Sequence, residues 1–121
     1  MSSIQDSLND LRRADGVKAC MLLTNDGLVV AESMGNKFRD DIVAGLASYL
    51  SMTTNKALTE AGLAHFDTFT LHAAHGKSVL VDLGEAFLVV LLDQFADLEQ
   101  SRGEIQGTAQ RLRRAAKMSQ G

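Results

Sequence analysis

Proline and tryptophan are absent from this chain, and cysteine occurs once. Without proline there is no rigid linker and no polyproline segment to divide the sequence. One cysteine, Cys20, cannot close an internal disulfide, so nothing in the chain asks for an oxidising compartment. The aromatics are five Phe and one Tyr, with no interleaving of rings and cations of the kind that stacks bases. A net charge of −3 is small and of the wrong sign for general nucleic-acid binding. Long apolar runs are missing too: the longest, Ala86 to Leu92, is strand-sized and too short to cross a bilayer. The opening MSSIQDSLNDLRR lacks the apolar centre of a secretory signal. Together these absences predict a cytoplasmic protein with no membrane span and no nucleic-acid partner.

What is present is a chain of 121 residues, 45% of them hydrophobic, enough for one globular domain over residues 1–121. Ser3 with Asp6 resembles a capping box, and Ile4, Leu8 and Leu11 then share one helical face, with Gly16 as the stop. Val17 to Leu23 reads as a strand with both faces apolar, Asn25-Asp26-Gly27 as a tight turn, and Leu28 to Ala31 as the returning strand. Asp40 or Asp41 is the expected cap of a second helix running to about Ala61, with Gly62 beyond it.

On that helix Ile42, Val43, Leu46, Ala47, Tyr49, Leu50, Ala57, Leu58 and Ala61 cover an arc of roughly 180° at about 100° per residue. Such an arc fits a helix lying deep on a sheet. It fits equally a helix with one flank on the sheet and the other against a second subunit. Phe66 to His72 alternates, with Phe69 and Leu71 on one face and Thr68, Thr70 and His72 on the other, as in a half-buried edge strand. Gly76 is the expected turn into Ser78–Leu83, Gly84-Glu85 the next turn, and FLVVLL from Phe87 to Leu92 a central strand. A third helix from Leu98 carries Leu98, Ile105, Ala109, Leu112 and Ala116 in a narrow stripe. Gly103 and Gly107 weaken it and suggest a close approach to a neighbour. The predicted fold is α+β in the order α-β-β-α-β-β-β-α. Its five-stranded antiparallel sheet carries helix 2 on one face and helices 1 and 3 on the other.

Catalytic hardware is hard to find. Gly76-Lys77-Ser78 looks like the tail of a phosphate-binding loop, but the first glycine would fall at Leu71 and a strand follows where a helix should. His65, His72 and His75 suggest zinc, yet Asp67, the nearby fourth donor, points away from His72 in a regular strand. Cys20 lies in an apolar strand, where a thiol is inert. No serine sits in a GxSxG elbow, and Asp40 with Asp41 reads as capping. No catalytic residue, metal site or cofactor is expected. The closing run holds Arg111, Arg113, Arg114 and Lys117 without an acid. It reads as cations favouring a helix C-terminus, or as a docking surface for an acidic protein or an anionic membrane.

The GVKACMLLTNDGLVVAES hairpin, the element order, and FLVVLLD followed by the Leu98 helix resemble the roadblock family of dynein-associated light chains, in its prokaryotic GTPase-regulator form. The resemblance runs from about Ile4 to Met118. It implies a dimer in which second helices pack together and third strands pair edge to edge. Family members in bacteria and archaea commonly regulate Ras-like GTPases, while eukaryotic relatives scaffold motor or lysosomal complexes. Candidate dimer contacts are then Leu46, Tyr49, Leu50, Thr53, Thr54 and Ala57 of helix 2, with Thr68 and Thr70 of the edge strand. Leu50→Asp or Thr54→Arg is expected to leave a folded monomer. The expected function is a homodimeric regulator that grips the switch regions of a small GTPase, with Arg39 or Arg102 as candidate arginine fingers. A passive dimerisation scaffold is the alternative, and a small-molecule sensor a third reading that would need a sizeable pocket.

Overall fold

A computed structural model describes residues 3–35 and 38–120, with side chains from Ile4 to Ala115. The helices are α1 (Ser3–Arg12), α2 (Asp40–Glu60) and α3 (Leu98–Gln120). The strands are β1 (Val17–Thr24), β2 (Val29–Ser33), β3 (Thr68–Ala73), β4 (Gly76–Asp82) and β5 (Ala86–Asp93). All pairings are antiparallel, in the order β2-β1-β5-β4-β3, so FLVVLL is indeed the middle strand and β3 an edge. The sheet carries α2 on one face and α1 with α3 on the other, as the order of elements predicts.

Alternation along the strands builds two separate cores. Cys20, Leu22, Val79, Val81, Leu88 and Val90 point to the α1/α3 side and meet Leu8, Leu11, Ile105, Ala109 and Leu112. Met21, Leu23, Leu80, Phe87 and Val89 point the other way and meet Ala44 and Ala47 of α2. Two of the turns rest on glycine: Gly27 (φ +94°) between β1 and β2, and Gly84 (φ +98°) between β4 and β5, a conformation a side chain would strain.

The structure corrects three local readings. The β3–β4 turn is Ala74-His75, and Gly76 is already the first residue of β4, paired with Ala73. Its lack of a side chain serves a close approach, since a Cβ there would come within 3.0 Å of the Leu92 carbonyl oxygen of β5. The N-cap of α2 is Arg39, with no side-chain cap bond. Asp40 and Asp41 sit inside the first turn, where their carboxylates accept from the Asp41 and Ile42 amides and favour the positive helix end. In α3, a Cβ at Gly103 or Gly107 would meet nothing within 4 Å among the described residues, so neither glycine permits a close helix contact.

Candidate interaction surface

The two faces of the sheet are covered very differently. On the α1/α3 side Leu8, Leu11, Ala109 and Leu112 are almost wholly buried. Among the described residues of α2, by contrast, Ala44 and Ala47 alone are buried. Ile42 (56% exposed), Leu46 (58%), Tyr49 (64%) and Met52 (64%) stand in solvent. At about 100° per residue, Ile42, Leu46 and Tyr49 lie on the side of the helix away from the sheet. A deep-lying helix would hide its apolar arc, so the first reading of that arc does not hold. Leu50 and Thr54, placed half-buried, line one flank; Thr53 and Ala57 are exposed.

The candidate contacts on β3 fall elsewhere. Thr68 and Thr70 line a recess with Val79, Ile105, Leu98, Arg102 and Gln106 of the α3 side. The helix-2 and strand-3 candidates therefore occupy opposite faces of the sheet. Pattern reading missed Leu71, which is exposed on the α2 face of that same strand, and Leu28, Val29 and Val30 along the β2 edge. The signal for Leu71 was its alternation with Thr70 and His72; what was lacking was knowledge of how little of the sheet α2 covers.

A groove of 760 Å³ follows from that poor cover. It opens near the start of α2 and is lined by Phe38, Leu71, Ala73 and Leu91, with Arg12, Lys18, Lys77 and Asp93 as its charged residues. Lys18 reaches Asp93 at 3.8 Å, and the Arg12 guanidinium donates to the Met34 carbonyl at 3.2 Å. Nearby, burial and then the hydrogen bond and charge of Asp40 push the Glu32 carboxyl above its ordinary range.

The remaining candidate residues are dispersed. Arg39 is held by Asp41 at 3.2 Å and Arg102 by Glu99 at 3.0 Å, both exposed pairs on different elements. Arg111 donates to the Thr108 hydroxyl at 3.2 Å and Arg113 to the Asp82 carbonyl at 2.9 Å, tying α3 to the β4–β5 turn. Arg114 is exposed, and the Lys117 side chain lies outside the described residues. Lys77 sits in a strand and donates to the carbonyls of Gln94 (3.1 Å) and Ala96 (2.6 Å), so it fastens the β5–α3 connection. Cys20 is 1% exposed and donates to the Leu8 carbonyl at 3.2 Å; burial raises its thiol to about 12 against a smaller opposing effect of Arg12. His65, His72 and His75 are exposed, and no group of three metal-ligating side chains occurs among the described residues. Nor is any helix among them long and apolar enough to cross a membrane.

An open-faced sheet of this connectivity, with an apolar helix left outside it, has known counterparts. Residues 3–92 match the Roadblock/LC7 domain. The chain belongs to the Roadblock/LC7 family. Among curated relatives it is 32% identical over 112 residues to the uncharacterized protein MJ0714 of Methanocaldococcus jannaschii, covering 93% of this chain and 95% of that one. Among solved structures it resembles MglB of Myxococcus xanthus with a TM-score of 0.91 and 16% identity, over 98% of both chains. The Roadblock/LC7 domain from Streptomyces avermitilis gives a TM-score of 0.84 and 21% identity, over 96% of this chain and 99% of that one. At those identities the two structures speak for the fold. The family match ends at Leu92, so α3 lies beyond it although the MglB likeness extends over it.

Proposed function

We propose that this Roadblock/LC7 protein is a non-catalytic homodimer that regulates a small Ras-like GTPase in the cytoplasm. The observation that supports it is the solvent side of α2, where four large apolar side chains are each more than half exposed. Contiguous apolar surface on a small chain marks an interaction site. In this reading the α2 flank with Leu46, Tyr49, Leu50, Thr53, Thr54 and Ala57 packs against the same flank of a second copy. The β3 edges then pair across the two-fold axis, which removes an open strand edge. Thr68 and Thr70 take part through their strand's backbone, and their side chains lie beneath the joined sheet.

Met52, on the opposite flank, stays outside that seam and is available to the GTPase. Contact with its switch regions biases which geometry they hold, and the groups for hydrolysis come from the GTPase itself. Arg39 and Arg102, each already paired with a neighbouring carboxylate, are poor arginine fingers.

Immobilised protein exposed to native lysate with a non-hydrolysable GTP analogue, and in parallel with GDP, tests this. A small GTPase retained in one nucleotide state only, whose hydrolysis or exchange rate then changes on adding the dimer, is the expected result. The same partners in both states, with no GTPase among them, would make the protein a passive scaffold.

A further inference from the structure

Pairing within the chain leaves one arginine and one group of carboxylates unmatched. Arg12, Arg13, Arg39, Arg102, Arg111 and Arg113 each donate to a carboxylate, a hydroxyl or a carbonyl oxygen. Arg114 is exposed and has no such partner among the described residues. It lies in the stretch from Arg111 to Lys117, which holds four cations and no acid.

The unmatched carboxylates gather at the other end of the same helix. A pocket of 440 Å³ lies between the α1–β1 loop, the β5–α3 connection and the first two turns of α3. Its charged lining is Asp15, Asp93, Asp97 and Glu104, with no basic side chain. Of these four, Asp93 alone meets a cation among the described residues, Lys18 at 3.8 Å, while Asp97 accepts from the Glu99 amide as a helix cap. Ser101 lines the pocket although it is only 4% exposed, and its hydroxyl has no hydrogen-bond partner among the described residues. A buried hydroxyl ordinarily has one, so this one is open to an N–H from outside. Phe95 lines the same pocket and is 85% exposed, which leaves its ring free to receive a cation. The positive end of the α3 dipole, about half a charge, opposes a cation here, and the four carboxylates outweigh it.

Along α3, Ser101 and Arg114 stand about 20 Å apart, so one copy's arginine does not reach its own pocket. We infer that the pocket at the head of α3 takes Arg114 from the α3 tail of a second copy. Its guanidinium donates there to Glu104, Asp15 and the Ser101 hydroxyl and lies against the Phe95 ring. Arginine suits the site because its planar fork of donors pairs with carboxylates and stacks on aromatic faces. The contact is head to tail, so it adds further copies and is not closed by a two-fold axis. It uses neither α2 nor β3 and goes beyond the pairing proposed above.

Sedimentation equilibrium of the full chain at submillimolar concentration tests this contact. In about 10 mM salt, where charges are felt over about 30 Å, assemblies larger than the high-salt species are expected. In about 1 M salt, where that distance is about 3 Å, they should dissociate. Glu104→Lys and Arg114→Glu each replace an exposed side chain, and each should weaken the assembly about tenfold or more. A chain carrying both changes should assemble again, because its head and tail are once more opposite in charge. Native circular dichroism of every variant keeps loss of folding apart from loss of contact. No species beyond the high-salt mass in dilute salt, assembly indifferent to either reversal, or no recovery in the double variant would overturn the contact. The high-salt mass itself, one chain or two, reports on the α2 pairing alone.

Discussion

The two faces of this sheet are built from similar strand residues and end in opposite states. On one, α1 and α3 bring Leu8, Leu11, Ile105, Ala109 and Leu112 onto the strands and seal them. On the other, α2 touches the sheet mainly through two alanines and turns Ile42, Leu46 and Tyr49 outward. The alanines of α2 close over Met21, Leu23, Leu80, Phe87 and Val89, which are buried, while the apolar outer side of the helix itself stays exposed. The difference lies in the helices: α1 and α3 bury their apolar residues, whereas α2 leaves Ile42, Leu46, Tyr49 and Met52 exposed.

Substitutions can break that contrast. The largest effect is expected from Leu112→Ala on the sealed face, which should cost roughly 2–5 kcal/mol in urea unfolding, the range for a buried leucine. Leu46→Ala on the open face, measured at a concentration where the chain is monomeric, should stay within about 0.5 kcal/mol. Equal losses at the two positions would mean that the faces do not differ as described.

Cys20 probes the sealed side by pH. Its thiol is raised from 9.0 to about 12 by burial, so the folded chain keeps a proton that the unfolded chain gives up. That contribution is whole below about pH 9 and is lost as pH climbs from there toward about 12. Cys20→Ala should lower stability at neutral pH through lost packing while flattening the alkaline decline, read by circular dichroism. A smaller effect is expected in α3, where Gly103→Ala has open space for its methyl group. It should stabilise the chain by about 1 kcal/mol, the helix-propensity difference between the two residues.

Much of this was legible in the sequence, and the reasons differ by element. Gly27, Gly62 and Gly84 announced their turns because positive φ leaves few alternatives. FLVVLL announced a central strand because an unbroken apolar run needs cover on both faces. The Ala74-His75 turn carried no such mark: among the described residues no non-glycine adopts positive φ, so neither residue betrays a turn and the adjacent Gly76 attracted the assignment.

The candidate surface was half legible for a similar reason. Periodicity identifies which residues share a face, so the breadth of the α2 arc and the alternation of β3 were both visible. It does not say how much of each face the neighbouring elements cover, and Leu71 and Leu63 are exposed where they leave a face uncovered. Leu50 and Thr54 show the cost of that blindness. Both are half-buried in their own subunit, which makes Leu50→Asp and Thr54→Arg mixed tests of fold and assembly. Leu46→Asp, on an exposed position, separates the two.

Sedimentation equilibrium of the parent chain and of Leu46→Asp, at micromolar concentration, tests most directly the claim that a second molecule completes the α2 face. Twice the 13.0 kDa chain mass is expected for the parent, and a single chain mass for a variant that keeps its native circular dichroism. A parent at 13.0 kDa throughout the range, or a variant that stays dimeric, would contradict it.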